Sequence, residues 1–115
     1  MTILIKSGQI VTTAESYAAD ILIEGEKIVE IGKIENLSEN VKVYDASGML
    51  VLPGGIDAHV HLDLPMFGTV SSDDHYTGMK AAAFGGTTTV IDFIPQDHSP
   101  LMANFEAWQL KAEPK

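Results

Sequence analysis

Hydrophobic and polar positions in the first half of this chain recur with a strand-like period of about two. Thr2-Ile3-Leu4-Ile5 predicts a strand, Ser7-Gly8 a turn, and Ile10-Val11-Thr12-Thr13 a second short strand. Ile21-Leu22-Ile23-Glu24, the turn residue Gly25 and Ile28-Val29-Glu30-Ile31 form the pattern of a β-hairpin. Val41-Lys42-Val43 and Met49-Leu50-Val51-Leu52 add two strands around Asp45-Ala46-Ser47-Gly48. Residues 1–52 therefore read as part of a small antiparallel sheet.

From Pro53 the rhythm changes. Ile56, Ala58, Val60 and Leu62 alternate with Asp57, His59 and His61, so a strand here sends its apolar residues to one face and the two histidines to the other. A helix is predicted from about Ser72 to Phe84, capped by Ser71 or Ser72. Asp73 and Asp74 would favour its positive end, and Gly85-Gly86 would stop it. Thr87-Thr88-Thr89-Val90-Ile91-Asp92-Phe93 suits a buried strand. Ser99-Pro100 then predicts a second helix, with Ser99 as cap and Pro100 at its first position. Leu101, Phe105, Trp108 and Ala112 would share one face of it. Strand, helix, strand, helix is the order of parallel strands joined by crossovers. The expected class is α/β. Two such units fall far short of the roughly 250 residues of a closed (β/α)8 barrel, so the chain is expected to be the front end of a longer protein.

Composition narrows the functional classes. An apolar fraction of 45% and a charged fraction of 20% are those of a globular protein. Sixteen acidic against seven basic residues give a net charge of -9. That charge argues against nucleic acid or an anionic membrane as partner, because no basic patch is available to neutralise phosphates. With no cysteine, disulfides and thiolate metal sites are excluded. No apolar run has the length of a membrane span, and no basic segment leads into a long apolar one, so a cytoplasmic setting is expected.

The chemistry lies in Asp57-Ala58-His59-Val60-His61. Two imidazoles on one strand face can reach one divalent ion, and imidazole suits zinc and its first-row neighbours. Spacing alone is equally compatible with a packed or surface histidine. The apolar opposite face and the position near a strand's C-terminal end, where barrel active sites lie, raise the metal reading. Asp57 shares that face, either to orient an imidazole or as a turn residue after Gly54-Gly55. His75 and His98 are expected to be exposed. Asp92 is open to a role in the site or in capping a loop.

Pro53-Gly54-Gly55-Ile56-Asp57-Ala58-His59-Val60-His61 resembles the metal-binding first barrel strand of the amidohydrolase superfamily. Leu62 to Val70, Ser72-Asp73-Asp74 and Lys80 to Phe93 resemble its dihydropyrimidinase and hydantoinase branch. The resemblance implies a metal-dependent (β/α)8 barrel over 53–115, preceded over 1–52 by part of a small β-sandwich domain. It implies a hydrolase opening neutral cyclic amides, a centre of two metal ions, usually zinc, and His59 and His61 as ligands. The remaining ligands would come from later strands, no catalytic residue would fall within 1–115, and this stretch alone would be inactive. Leu64, Met66 and Phe67 match a hydrophobic gate for the ring's side chain, or else ordinary loop packing. Asp63 stands where the dihydroorotase branch has an arginine, and an acid there would repel an anionic ring. A homotetramer is the implied assembly of the whole protein. The alternatives are a non-catalytic dihydropyrimidinase-like scaffold, or another cyclic amidohydrolase such as an allantoinase or dihydroorotase.

Overall fold

In the computed structural model, which describes residues 1–37 and 39–113, the chain divides into two compact units, residues 1–53 and 54–115.

The first unit is a five-stranded sheet. β1 (Thr2–Val11), β2 (Ser16–Glu24) and β3 (Lys27–Gly32) form an antiparallel meander, with Gly25 at positive φ in the predicted hairpin turn. β4 (Val41–Asp45) and β5 (Leu50–Val51) lie parallel to the two ends of β1. The sheet is therefore mixed, not antiparallel. The expected turn at Ser7-Gly8 is instead a bulge within one long strand: the β1–β2 register shifts between Ile5 and Gly8, and Ser7 takes φ 60°. A bulge adds a residue without ending the pairing. Asp20 holds it by accepting the Ser7 N–H at 2.7 Å and, through its other oxygen, the Ile34 N–H at 3.2 Å. These two donors keep the Asp20 carboxyl below its ordinary pKa. Leu4, Ile10, Ile21 and Ala46 are the buried apolar residues among those described in this unit.

The second unit pairs β6 (Gly55–Val60) with β9 (Thr87–Asp92) in parallel, with α1 (His75–Phe84) between them in sequence and α2 (Leu101–Ala112) following. A hairpin of β7 (Pro65–Met66) and β8 (Thr69–Val70) lies between β6 and α1. The caps differ from expectation. Asp74, not Ser71 or Ser72, caps α1 in a reciprocal box with Thr77: the Thr77 N–H donates to Asp74 Oδ1 at 2.8 Å, and the Asp74 N–H donates to the Thr77 hydroxyl at 3.1 Å. Ser71 is engaged elsewhere, its hydroxyl accepting the Leu64 N–H at 2.9 Å. At α2 Pro100 takes the cap position and no side chain caps the helix; Ser99 instead donates its N–H to Asp97. Of the predicted apolar face of α2, Trp108 is buried while Leu101 is 70% exposed. The described strands and helices cover only part of each other's apolar surface.

Candidate metal centre

β6 carries His59, and His61 follows one residue past its end, on the side that the alternation requires. The imidazole centroids of His59 and His61 stand 5.0 Å apart at 60°. Phe93, one residue past the end of β9, lies against both, stacked on His59 at 5.2 Å and edge-on to His61 at 5.5 Å. With tetrahedral geometry and Zn–N bonds of about 2.0–2.1 Å, two imidazole centroids on one ion stand about 5 Å apart. The pair thus fits two ligands of one ion. It does not make a complete site: among the described residues no group of three or more histidine, cysteine, aspartate or glutamate side chains is placed to hold a metal.

The neighbouring residues fix the main chain around this pair. Asp57 Oδ1 accepts the His59 N–H at 3.1 Å, so its carboxylate reaches the histidine through the backbone. Past His61, Leu62 is buried against α1, where a Cβ on Gly78 would collide with its side chain. The Asp63 N–H donates to the Asp73 carbonyl at 2.8 Å, and the Asp63 carbonyl accepts Lys111 Nζ at 3.0 Å. The Asp63 carboxylate is itself 3.5 Å from Lys111 Nζ. Its charge is therefore partly compensated, which weakens the expected repulsion of an anionic ring.

The three gate residues have different surroundings. Leu64 is buried, its N–H and carbonyl both bonded to Ser71. Met66 is 43% exposed in β7, and Phe67 is 97% exposed at the hairpin tip. Phe67 has φ 51°, which is rare and strained for a bulky residue.

His98 is exposed, as expected, whereas His75 is not. It is only 4% exposed at the first turn of α1, with Nε2 3.0 Å from Asp92 Oδ2. The same oxygen accepts Trp108 Nε1–H at 2.6 Å. Burial of His75 thus follows from contacts with residues distant in sequence, which helix pattern alone does not reveal. Phe93 was legible in principle. In a parallel pair, the β9 residues that alternate away from Asp92 share the histidines' face.

A family model described as "Amidohydrolase family" matches residues 50–111. The chain is 52% identical over 117 residues to a D-hydantoinase of Geobacillus stearothermophilus, covering 100% of this chain and 24% of that protein. It is 45% identical to a dihydropyrimidinase of Dictyostelium discoideum, covering 99% of this chain and 23% of that protein. A solved D-hydantoinase from Thermus sp. superposes with a TM-score of 0.89 at 44% identity, over 96% of this chain and 24% of that one. The chain thus spans about a quarter of the length of these relatives. Its fold is the start of a (β/α)8 barrel preceded by part of a small β-sandwich domain. No helix among the described residues is long and apolar enough to cross a membrane.

Proposed function

This chain belongs to the amidohydrolase family, in its hydantoinase and dihydropyrimidinase branch, and from that premise we propose that it supplies two metal ligands, His59 and His61, to a hydrolase opening the ring amide of neutral hydantoins or dihydropyrimidines. The observation that carries the reading is the paired imidazoles at 5.0 Å at the C-terminal end of β6. The metal we assign is zinc, because imidazole is among its preferred ligands, and two ions are proposed on the family resemblance alone. When bound, a divalent metal makes a water nucleophilic near neutral pH and polarises the amide carbonyl. The remaining ligands are proposed to come from outside the described residues. We assign residues 1–52 to the β-sandwich domain and 53–115 to the barrel.

The roles of this chain's own residues follow from their surroundings. His59 and His61 hold the ion, and Phe93 packs against both rings and fixes their orientation. Asp57 supports His59 through its main-chain N–H. Leu64 anchors the hairpin, leaving Met66 and Phe67 to meet the substituent on the substrate ring. The strained φ of Phe67 supports that gate, because strain of this kind gathers at ligand clamps. The preference for a neutral ring rests on the relatives' names and on the absence of an arginine at position 63, with little weight on the Asp63 charge. A cytoplasmic setting and a homotetrameric assembly belong to the same proposal. The scaffold, allantoinase and dihydroorotase alternatives are not favoured, since the relatives of high identity are hydantoinases and dihydropyrimidinases.

His59→Ala and His61→Ala in the whole protein test the reading. Each should lower turnover of dihydrouracil and hydantoin by more than about a hundredfold, beyond the range reached by losing an outer partner of a metal ligand. Metal content by elemental analysis should fall with it. Unchanged metal content and turnover in both variants would refute the assignment.

A further inference from the structure

The carboxylate of Asp92 is saturated, and its two oxygens face different parts of the unit. Oδ1 accepts the Leu62 N–H at 3.2 Å and the Phe93 N–H at 2.9 Å. Oδ2 lies 3.0 Å from His75 Nε2 of α1 and accepts Trp108 Nε1–H of α2 at 2.6 Å. Two oxygens offer about four acceptor sites, and all four are used. One oxygen therefore holds backbone just beyond β6 and β9, and the other is gripped by both helices.

The two backbone donors belong to particular residues. Leu62 directly follows His61, and Phe93 is the ring packed on His59 and His61. The Phe93 N–H is also 3.1 Å from the Val60 carbonyl, between the two histidines in sequence. One carboxylate thus fixes, from the helix side of the sheet, the chain segments that set three rings on its other side. Lys111 reinforces the arrangement, its Nζ 4.3 Å from the Trp108 ring centre while it donates to the Asp63 carbonyl. A side chain held by four hydrogen bonds has little freedom, and charge-assisted bonds are the strong ones.

We infer that Asp92 is a positioning residue for the metal centre: gripped by His75 and Trp108, it sets the spacing and orientation of the His59 and His61 imidazoles through the Leu62 and Phe93 main chain. The role rests on the reading of those histidines as metal ligands, and it predicts a measurable geometry even without metal. Asp92 itself touches neither ring nor substrate.

The test uses the whole protein with carbon-13 in its histidine rings, stripped of metal and then titrated with Co2+. In the metal-free protein the ring protons of His59 and His61 should carry the ring-current shift of Phe93, identified by its loss in Phe93→Leu. Asp92→Ala should abolish most of that shift while far-UV circular dichroism stays native. It should also weaken Co2+ binding about tenfold, the lower end of what outer partners of metal ligands are worth. Asp92→Asn keeps an acceptor for the Leu62 and Phe93 N–H groups and should restore part of both effects. Trp108→Phe removes one donor while keeping an aromatic ring, and should give a smaller change of the same sign; it decides the matter if Asp92→Ala does not fold. Ring shifts and Co2+ affinity that stay at wild-type values in the folded Asp92 and Trp108 variants would overturn the inference. If His59→Ala leaves Co2+ affinity unchanged, the metal reading fails by itself, while the metal-free shifts still decide what Asp92 does.

Discussion

The two units each place an aspartate where little solvent reaches it, and use it differently. In residues 1–53, Asp20 accepts two backbone N–H groups, that of Ser7 in the β1 bulge and that of Ile34 just past β3. In residues 54–115, Asp92 takes two backbone donors with one oxygen and the side chains of two helices with the other. The first carboxylate satisfies local main chain. The second links four elements beside a pair of histidines. Similar chemistry therefore serves register in one unit and ring placement in the other, because the partners differ in kind and in sequence distance.

That contrast predicts that stability and metal binding will separate. Asp20→Ala leaves two N–H groups without an acceptor and should cost about 3 kcal/mol in denaturant unfolding, with no change in the His59 and His61 ring signals. Its pH dependence has a definite sign. The carboxyl is held below its ordinary value of 3.8 by the Ser7 and Ile34 N–H groups. Its contribution to stability is therefore full above that value and is lost as the pH falls through the lower, folded one. Wild-type stability should drop in that acid window, and Asp20→Asn should flatten the drop. A variant whose acid profile matches wild type would remove Asp20 from the account.

Gly78→Ala should do less to stability and more to the site. A Cβ there collides with the buried Leu62 side chain. Overpacking of this kind costs about 1–3 kcal/mol, partly offset by the roughly 1 kcal/mol by which alanine is the better helix former. Because Leu62 follows His61, the shift should be visible as a changed His61 ring environment and weaker Co2+ binding. If Asp20→Ala disturbed the rings more than Gly78→Ala does, the division of labour drawn here would be wrong.

Much of this was legible in the sequence where the signal is local. Alternation placed His59 and His61 on one strand face, Gly25 marked the hairpin, and Gly85-Gly86 ended α1, with Gly86 at φ 86°. The misreadings are places where one residue type has two uses. Ser7-Gly8 looks like a turn, yet it bulges, because Asp20 accepts the N–H that the bulge frees. Ser71 looks like a cap, yet its hydroxyl serves Leu64, and Asp74 with Thr77 makes the cap. His75 and Asp92 were the hardest. Their pairing spans 17 residues and depends on Trp108, 16 residues past Asp92, so no window of helix or strand period contains it. The identity of the residues carried the metal chemistry; their long-range partners required the fold.

The most direct test is anomalous diffraction at the zinc edge from crystals of the whole protein grown with zinc. A peak about 2.0–2.1 Å from one imidazole nitrogen of His59 and one of His61 is the predicted result. Ordered, well-resolved rings of both histidines with the zinc bound elsewhere, or with no zinc at all, would contradict the account.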